Sequence, residues 1–184
     1  FISYINGAGV RVSEDLNDIF ADPALVNEFD ASYVILSARD INNKGQIVGC
    51  AGIPSVGYES QRAYRYSPSR QDGDVTVPPM LENIGLLDAD TGVSSFAIGV
   101  NEMGEVVGDT SDAIMGRRGF FYSDTHGMQD IGDLGGSVNT QSINDYSQIV
   151  GWDRHPTEGP TAFIYTPETG INPIIQTAPG DPAI

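Results

Sequence analysis

The chain has 184 residues, 40% of them apolar and 18% charged. That is about one domain with a substantial core, and it excludes a disordered chain. Nine Lys and Arg stand against 25 Asp and Glu, a formal net charge of −16. This excludes a plain electrostatic grip on nucleic acid or anionic lipid, both of which need a basic face. No apolar run is long enough for membrane insertion through a helix.

Of the acids, 17 are Asp; of the bases, 8 are Arg and one, Lys44, is Lys. Asp and the 22 Gly are turn residues, whereas Lys and Glu populate exposed helix faces, so the composition argues against a helical protein. High acidity with almost no Lys also suits a secreted or salt-exposed protein. Cys50 is the single cysteine, which excludes an intrachain disulfide. It reads as a small buried apolar residue following a strand. The first residues, from Phe1, show no basic segment followed by an apolar one. The expectation is a leader already removed, or a piece of something longer.

In chain order, FISYINGAGVRVSEDL predicts an aromatic strand, a turn at Gly9 and an alternating strand. EDLNDIFADPALVNEF follows as a helical or irregular insertion, which Pro23 limits to short pieces. ARDINNKGQIVG (38–49) then predicts a β-hairpin: Ile-Asn closes one strand, and a polar turn leads into the next. The same pattern returns in AIGVNEMGEVVG (97–108) and TQSINDYSQIVG (140–151), with Asn42, Asn101 and Asn144 at the turn entry. Asn there bonds its own backbone two residues on, and Gly45 and Gly104 supply positive φ. Ser147 stands where they do, which predicts a looser third turn. The apolar strand residues, Ile41, Ile47, Val48, Val100, Val106, Val107, Ile143, Ile149 and Val150, are expected to be mostly buried.

An aromatic strand follows each hairpin: RAYRYSP (62–68), RGFFYSD (118–124) and TAFIYTP (161–167). Aromatics two apart share a face, and their recurrence predicts packing between units rather than a carbohydrate platform. A fourth strand comes next in LENIGLL (81–87), GMQDIGDLGG (127–136) and GINPII (170–175). An insertion, 69–79, lengthens the first copy. The segment 1–16 matches the last two strands of a unit, so those strands are expected to pair elsewhere. The options are the third unit near 171–175, a neighbouring chain or an upstream segment, with the last two expected ahead of closure on the third unit.

DINNKGQIVG, RAYRY and GMQDIGDLGG together resemble the HAF-repeat family of extracellular bacterial repeat proteins. EDLNDIF resembles a recurrent segment of that family. Gly119 in place of Ala, Ser147 in place of Gly, and the lack of a His before the aromatic strand depart from its pattern. The resemblance implies an extracellular or cell-surface location, an all-β repeat architecture and no established chemistry.

The reading is therefore all-β: tandem four-stranded antiparallel units, β-propeller-like and incomplete or open. A β-sandwich or solenoid is the alternative. One repeat domain spans 1–184, with a half unit and insertion in 1–30 and units in 31–90, 91–136 and 137–184.

Chemistry is sparsely signalled. His126 and His155 lie in different units without a zinc-ligand partner. No Gly-x-Ser-x-Gly elbow and no phosphate-binding glycine loop is present. Asp88, Asp90, Asp109 and Asp112 are the candidate metal ligands, with calcium as the ion, since hard oxygen donors suit it. Solvated turn acids are the plainer account of them. Trp152 follows the hairpin Gly only in the third unit and is expected at an exposed loop or interface. The functional expectation is a secreted or surface-associated module acting by binding or structural assembly, with no catalysis and no cofactor beyond calcium. Its partners would be other protein chains, its own copies, or polysaccharide. The alternatives are a fragment of a polysaccharide-processing enzyme with an acidic cleft, and a self-assembling filament or surface-layer subunit completed by strand addition.

Overall fold

The structure is a computed structural model and describes residues 2–174, apart from 6–10, 22–24, 73–74, 91 and 115. Among the described residues it is all-β. Strands β1 (Ile2–Ile5) and β2 (Arg11–Glu14) pair antiparallel as a separate two-stranded sheet. Among the described residues neither strand pairs with the third sheet; each pairs along one edge with the other alone. Phe1 and Gly9 lie outside the described residues. The insertion contains a 3-10 helix, Leu16–Ala21, and a two-residue strand, β3 (Val26–Asn27).

Three larger sheets follow. The first contains β4 (Val34–Ile41), β5 (Ile47–Gly52), β6 (Arg62–Ser67) and, after a small hairpin of β7 (Arg70–Asp72) and β8 (Val75–Val77), β9 (Met80–Gly85). These four run antiparallel in sequence order, and β3 adds parallel to β9 at the edge. The second sheet is β10 (Gly92–Val100), β11 (Val106–Asp112), β12 (Gly116–Ser123) and β13 (Gly127–Asp130). The third is β14 (Ser137–Ile143), β15 (Ile149–His155), β16 (Gly159–Thr166) and β17 (Gly170–Pro173).

The opening hairpins share one register. Ala38 faces Gly49, Ala97 faces Gly108 and Thr140 faces Gly151; Ile41 faces Ile47, Val100 faces Val106 and Ile143 faces Ile149. Each turn is closed the same way. The Asn42, Asn101 and Asn144 side-chain oxygens accept from the backbone N–H of Lys44, Met103 and Tyr146, two residues on, at 3.1, 3.0 and 2.9 Å. The third turn is not looser. Ser147 adopts φ 56°, beside 76° and 82° at Gly45 and Gly104, and its hydroxyl donates to Glu105 at 2.7 Å. That bond to the turn between β10 and β11 holds a conformation that non-glycine residues otherwise avoid.

Successive side chains on a strand point to opposite faces, and here each face belongs to a different core. Ile47 packs with Leu16, Phe29, Ile35, Tyr64 and Leu81. Its neighbour Val48 packs with Ala63, Ile84, Ala97, Val106 and Phe120, between the first and second sheets. Val107 packs with Phe121, Ile131, Val138, Ile149 and Phe163, between the second and third. The sheets are stacked face on face, the first strand of each lying across the sheet before it. Tyr64, Phe120 and Phe163 are fully buried in these cores. Ile41 is 56% exposed and Val150 38% exposed. They depart from the expected burial because they face outward from the first and last sheets, where no further sheet is stacked.

A bulge recurs at one place in each opening strand. Arg39, Ile98 and Gln141 are each an extra residue without a partner across the hairpin. Opposite it stands the hairpin-closing glycine. A Cβ on Gly49, Gly108 or Gly151 would collide with the carbonyl oxygen of Ser37, Phe96 or Asn139. At Gly108 it would also strike the Phe120 ring, 2.6 Å away. Gly108→Ala should therefore destabilise the chain by about 3 kcal/mol, read as a lower urea midpoint with unchanged m-value.

Burial holds the Tyr64 phenol well above its ordinary pKa. Its hydroxyl is buried without a hydrogen-bond partner among the described residues. The register positions matching Tyr64 are Phe120 and Phe163. Tyr64→Phe should raise stability by about 1 kcal/mol, because it removes an unsatisfied polar atom. Above pH of about 10 an unfolded tyrosine ionises while buried Tyr64 keeps its proton, so the native state binds more protons and stability falls as pH rises. The same substitution should flatten that alkaline loss in urea titrations.

Candidate functional site

The four aspartates proposed as metal ligands do not form one centre. Asp88 closes the turn between β9 and β10, accepting from Asp90 N at 2.9 Å through its side chain and from Gly92 N at 2.9 Å through its backbone. Asp112 caps the turn after β11, accepting from Ile114 N at 2.7 Å. Asp109 is 1% exposed, between the second and third sheets. One of its oxygens accepts from the Thr140 backbone N–H and hydroxyl at 2.9 and 3.0 Å; the other accepts from Arg117 Nε at 3.0 Å and from Arg117 Nη2. Burial pushes the Asp109 carboxyl above its ordinary value, against the pull of Thr140 and Arg117. Both oxygens are thus committed to protein donors. Among the described residues, no three His, Cys, Asp or Glu side chains are grouped to hold a metal ion.

The other singled-out residues are also placed. Cys50 lies within β5, not after it, and is buried with Sγ 3.3 Å from the Ser37 hydroxyl. Trp152 is in the middle of β15 rather than in a loop, half-buried on the outward face of the third sheet, with the Arg154 guanidinium 5.7 Å from its ring. His126 sits at a turn beside Thr125, and His155 caps the turn before β16.

Polar ties join the sheets as well as apolar packing. Arg65 of the first sheet is 7% exposed. It donates to Glu82 at 2.9 Å, to Gly104 O at 2.5 Å and to Asp124 at 2.5 Å. Burial opposes its charge, but Asp124 and Glu82 outweigh that and hold it protonated. Along the turns runs a one-way ladder. Asn42 Nδ2 donates to Asn101 O at 2.8 Å, and Asn101 Nδ2 to Asn144 O at 3.1 Å. Beside it, Asn43 N donates to Glu102 at 2.8 Å and Glu102 N to Asp145 at 2.8 Å. The ladder stops in the third sheet. Asn144 Nδ2 bonds only Gln148 of its own turn, and Asp145 N has no acceptor among the described residues.

Two surface features bear on what the chain can bind. The outward face of the third sheet carries Val150, Trp152, Ala162, Ile164 and Ile174. Pairing places Val150 beside Ile164 and Trp152 beside Ala162, and Ile174 N donates to Ala162 O at 2.8 Å. These positions match Val48, Cys50, Ala63, Arg65 and Ile84 of the first sheet and Val107, Asp109, Gly119, Phe121 and Ile131 of the second. In those two sheets they are covered by the next sheet. The second feature is a depression of about 380 Å³ where Arg39, Ile98 and Gln141 meet Tyr58, Phe96 and Arg117.

The sequence did not point to that depression. Its three bulge residues share one column of the hairpin alignment, but nothing in their types marks them as neighbours. Comparison with family models, curated proteins and solved structures finds no match.

Asp109→Ala should cost about 2–3 kcal/mol, because it leaves the buried Thr140 N–H and hydroxyl without an acceptor, while half-exposed Arg117 turns to water. The loss should be the same in calcium and in EDTA. Chemical unfolding in both buffers checks it, and a loss seen only with calcium would return Asp109 to the role of metal ligand.

Proposed function

We propose that the three stacked sheets are successive units of a tandem β-repeat, propeller-like in arrangement, in an extracellular or cell-surface protein. It acts by binding and structural assembly rather than catalysis. The resemblance of its hairpin, aromatic and Gly-Met motifs to the HAF-repeat family supports the location and the repeat. So does the acidic, Lys-poor composition.

One observation carries the assembly reading. The outward face of the third sheet is apolar at the positions that the next sheet covers twice within the chain, and among the described residues the turn ladder ends there with unused donors. The occupant this face fits is a further sheet of the same pattern. Its first strand would lay a small residue and a β-branched residue over Val150, as Ala97 and Val100 pack with Val48. Its turn would offer a backbone carbonyl to Asn144 Nδ2 and a carboxylate or amide oxygen to Asp145 N. A second copy's first sheet does not serve, because Leu16 and Phe29 already cover its corresponding face.

Trp152 is the single tryptophan and reports on this face directly. Appending a duplicate of residues 92–136 after residue 184 should shift Trp152 emission to the blue and raise Tm. Val150→Asp in the extended chain should abolish both effects. An extended chain with unchanged emission and unchanged Tm would rule the assembly reading out.

A further inference from the structure

We propose that the depression at the three strand bulges is a binding site for a carboxylate carried on a six-membered ring, as in a uronic-acid saccharide. A bulge inserts one residue and re-aims the side chains around it. Here three bulges at the same register bring Arg39, Ile98 and Gln141 from β4, β10 and β14 to one depression of about 380 Å³. That volume is in the range of small-ligand sites, about 300–1,000 Å³.

The lining defines the ligand's chemistry. In a chain of net charge −16, two guanidinium groups stand at one small hollow. Arg117 spends Nε and Nη2 on buried Asp109, so that carboxylate fixes its position and offsets its charge. Arg39 is exposed and has no acidic partner among the described residues. It is therefore the cation left for a ligand, and its planar fork matches a carboxylate with two parallel hydrogen bonds. Tyr58 and Phe96 stand with ring centroids 5.4 Å apart and planes 38° from each other; Tyr58 is 52% exposed. With Ile98 they form an apolar wall against which the flat face of a ring packs. Gln141 supplies an amide that both donates and accepts, as a ring bearing hydroxyls requires. A bare inorganic anion would leave that wall unused, and a neutral sugar would leave Arg39 unused.

The site is independent of the third sheet's outward face, so Val150→Asp should leave it intact, and the two readings fail separately. Isothermal titration of the full chain with tetragalacturonate, neutral galactotetraose and benzoate tests it. Tetragalacturonate should bind, and galactotetraose should bind at least about 10-fold more weakly, as expected for loss of a charge-assisted pair. Arg39→Gln should weaken tetragalacturonate by about 10-fold or more, and Tyr58→Ala should weaken it while circular dichroism and Tm stay unchanged, since both side chains are exposed. Benzoate binding with the same Arg39 dependence would support the site and identify the ring as aromatic. No binding of either acid, equal binding of the neutral saccharide, or an Arg39→Gln variant that binds as well as the parent would overturn the proposal.

Discussion

The fold depends on one constraint: the middle sheet buries both of its faces. Val106 and Val107 are adjacent on β11, yet one belongs to the core shared with the first sheet and the other to the core shared with the third. A half-buried antiparallel strand alternates apolar and polar residues. A strand sandwiched on both sides carries two apolar residues in a row, and that is what the hairpins provide in Ile47-Val48, Val106-Val107 and Ile149-Val150. Each pair commits its sheet to a neighbour in front and another behind. The consequences at the ends are visible. In front of the first sheet, Leu16 and Phe29 from the insertion take the place of a preceding sheet. Behind the third, the same positions remain at the surface.

Face-to-face stacking needs close approach, and the bulge with its opposing glycine supplies it. The extra residue at Arg39, Ile98 or Gln141 bends the opening strand, and the missing Cβ opposite leaves room for the displaced carbonyl. The aromatic of the third strand, Phe120 or Phe163, then lies against the glycine in the space a side chain would fill. One device therefore curves the strand, seats the aromatic and turns three side chains toward a common hollow. The surface proposed for ligand binding is a by-product of how the sheets are made to fit, so its exposed residues Arg39, Tyr58 and Gln141 can vary without disturbing the core, whereas Arg117 is tied to buried Asp109.

Polar groups between the sheets add direction to this packing. The Arg65 network and the Asp109–Thr140 contact differ at the two interfaces, so each interface is specific. The asparagine ladder is the same at both and runs one way. Buried polar groups need partners, and fixing one such partner in the following sheet sets the order and register of stacking. Apolar faces alone would tolerate sliding.

The sequence by itself determined the main strands, their antiparallel order, the asparagine turns and the burial of Tyr64, Phe120 and Phe163, with Tyr66, Tyr122 and Tyr165 only partly buried beside them. Each of these is local: a period-two pattern, a turn residue bonding its own backbone, a glycine at a fixed offset. The role of the hairpin glycine was legible as a position but not as a cause, because the colliding carbonyl comes from the partner strand. The tertiary structure alone decided that Ile41 and Val150 are exposed while Val100 and Ile149 are buried or nearly so. These residues are alike in sequence and differ only in whether a sheet lies over them. It likewise decided that Asp109 answers Arg117 and Thr140, and that the bulge residues of three strands far apart in the chain share one hollow. Pairing between distant segments is set by how the sheets stack, and no single segment encodes it.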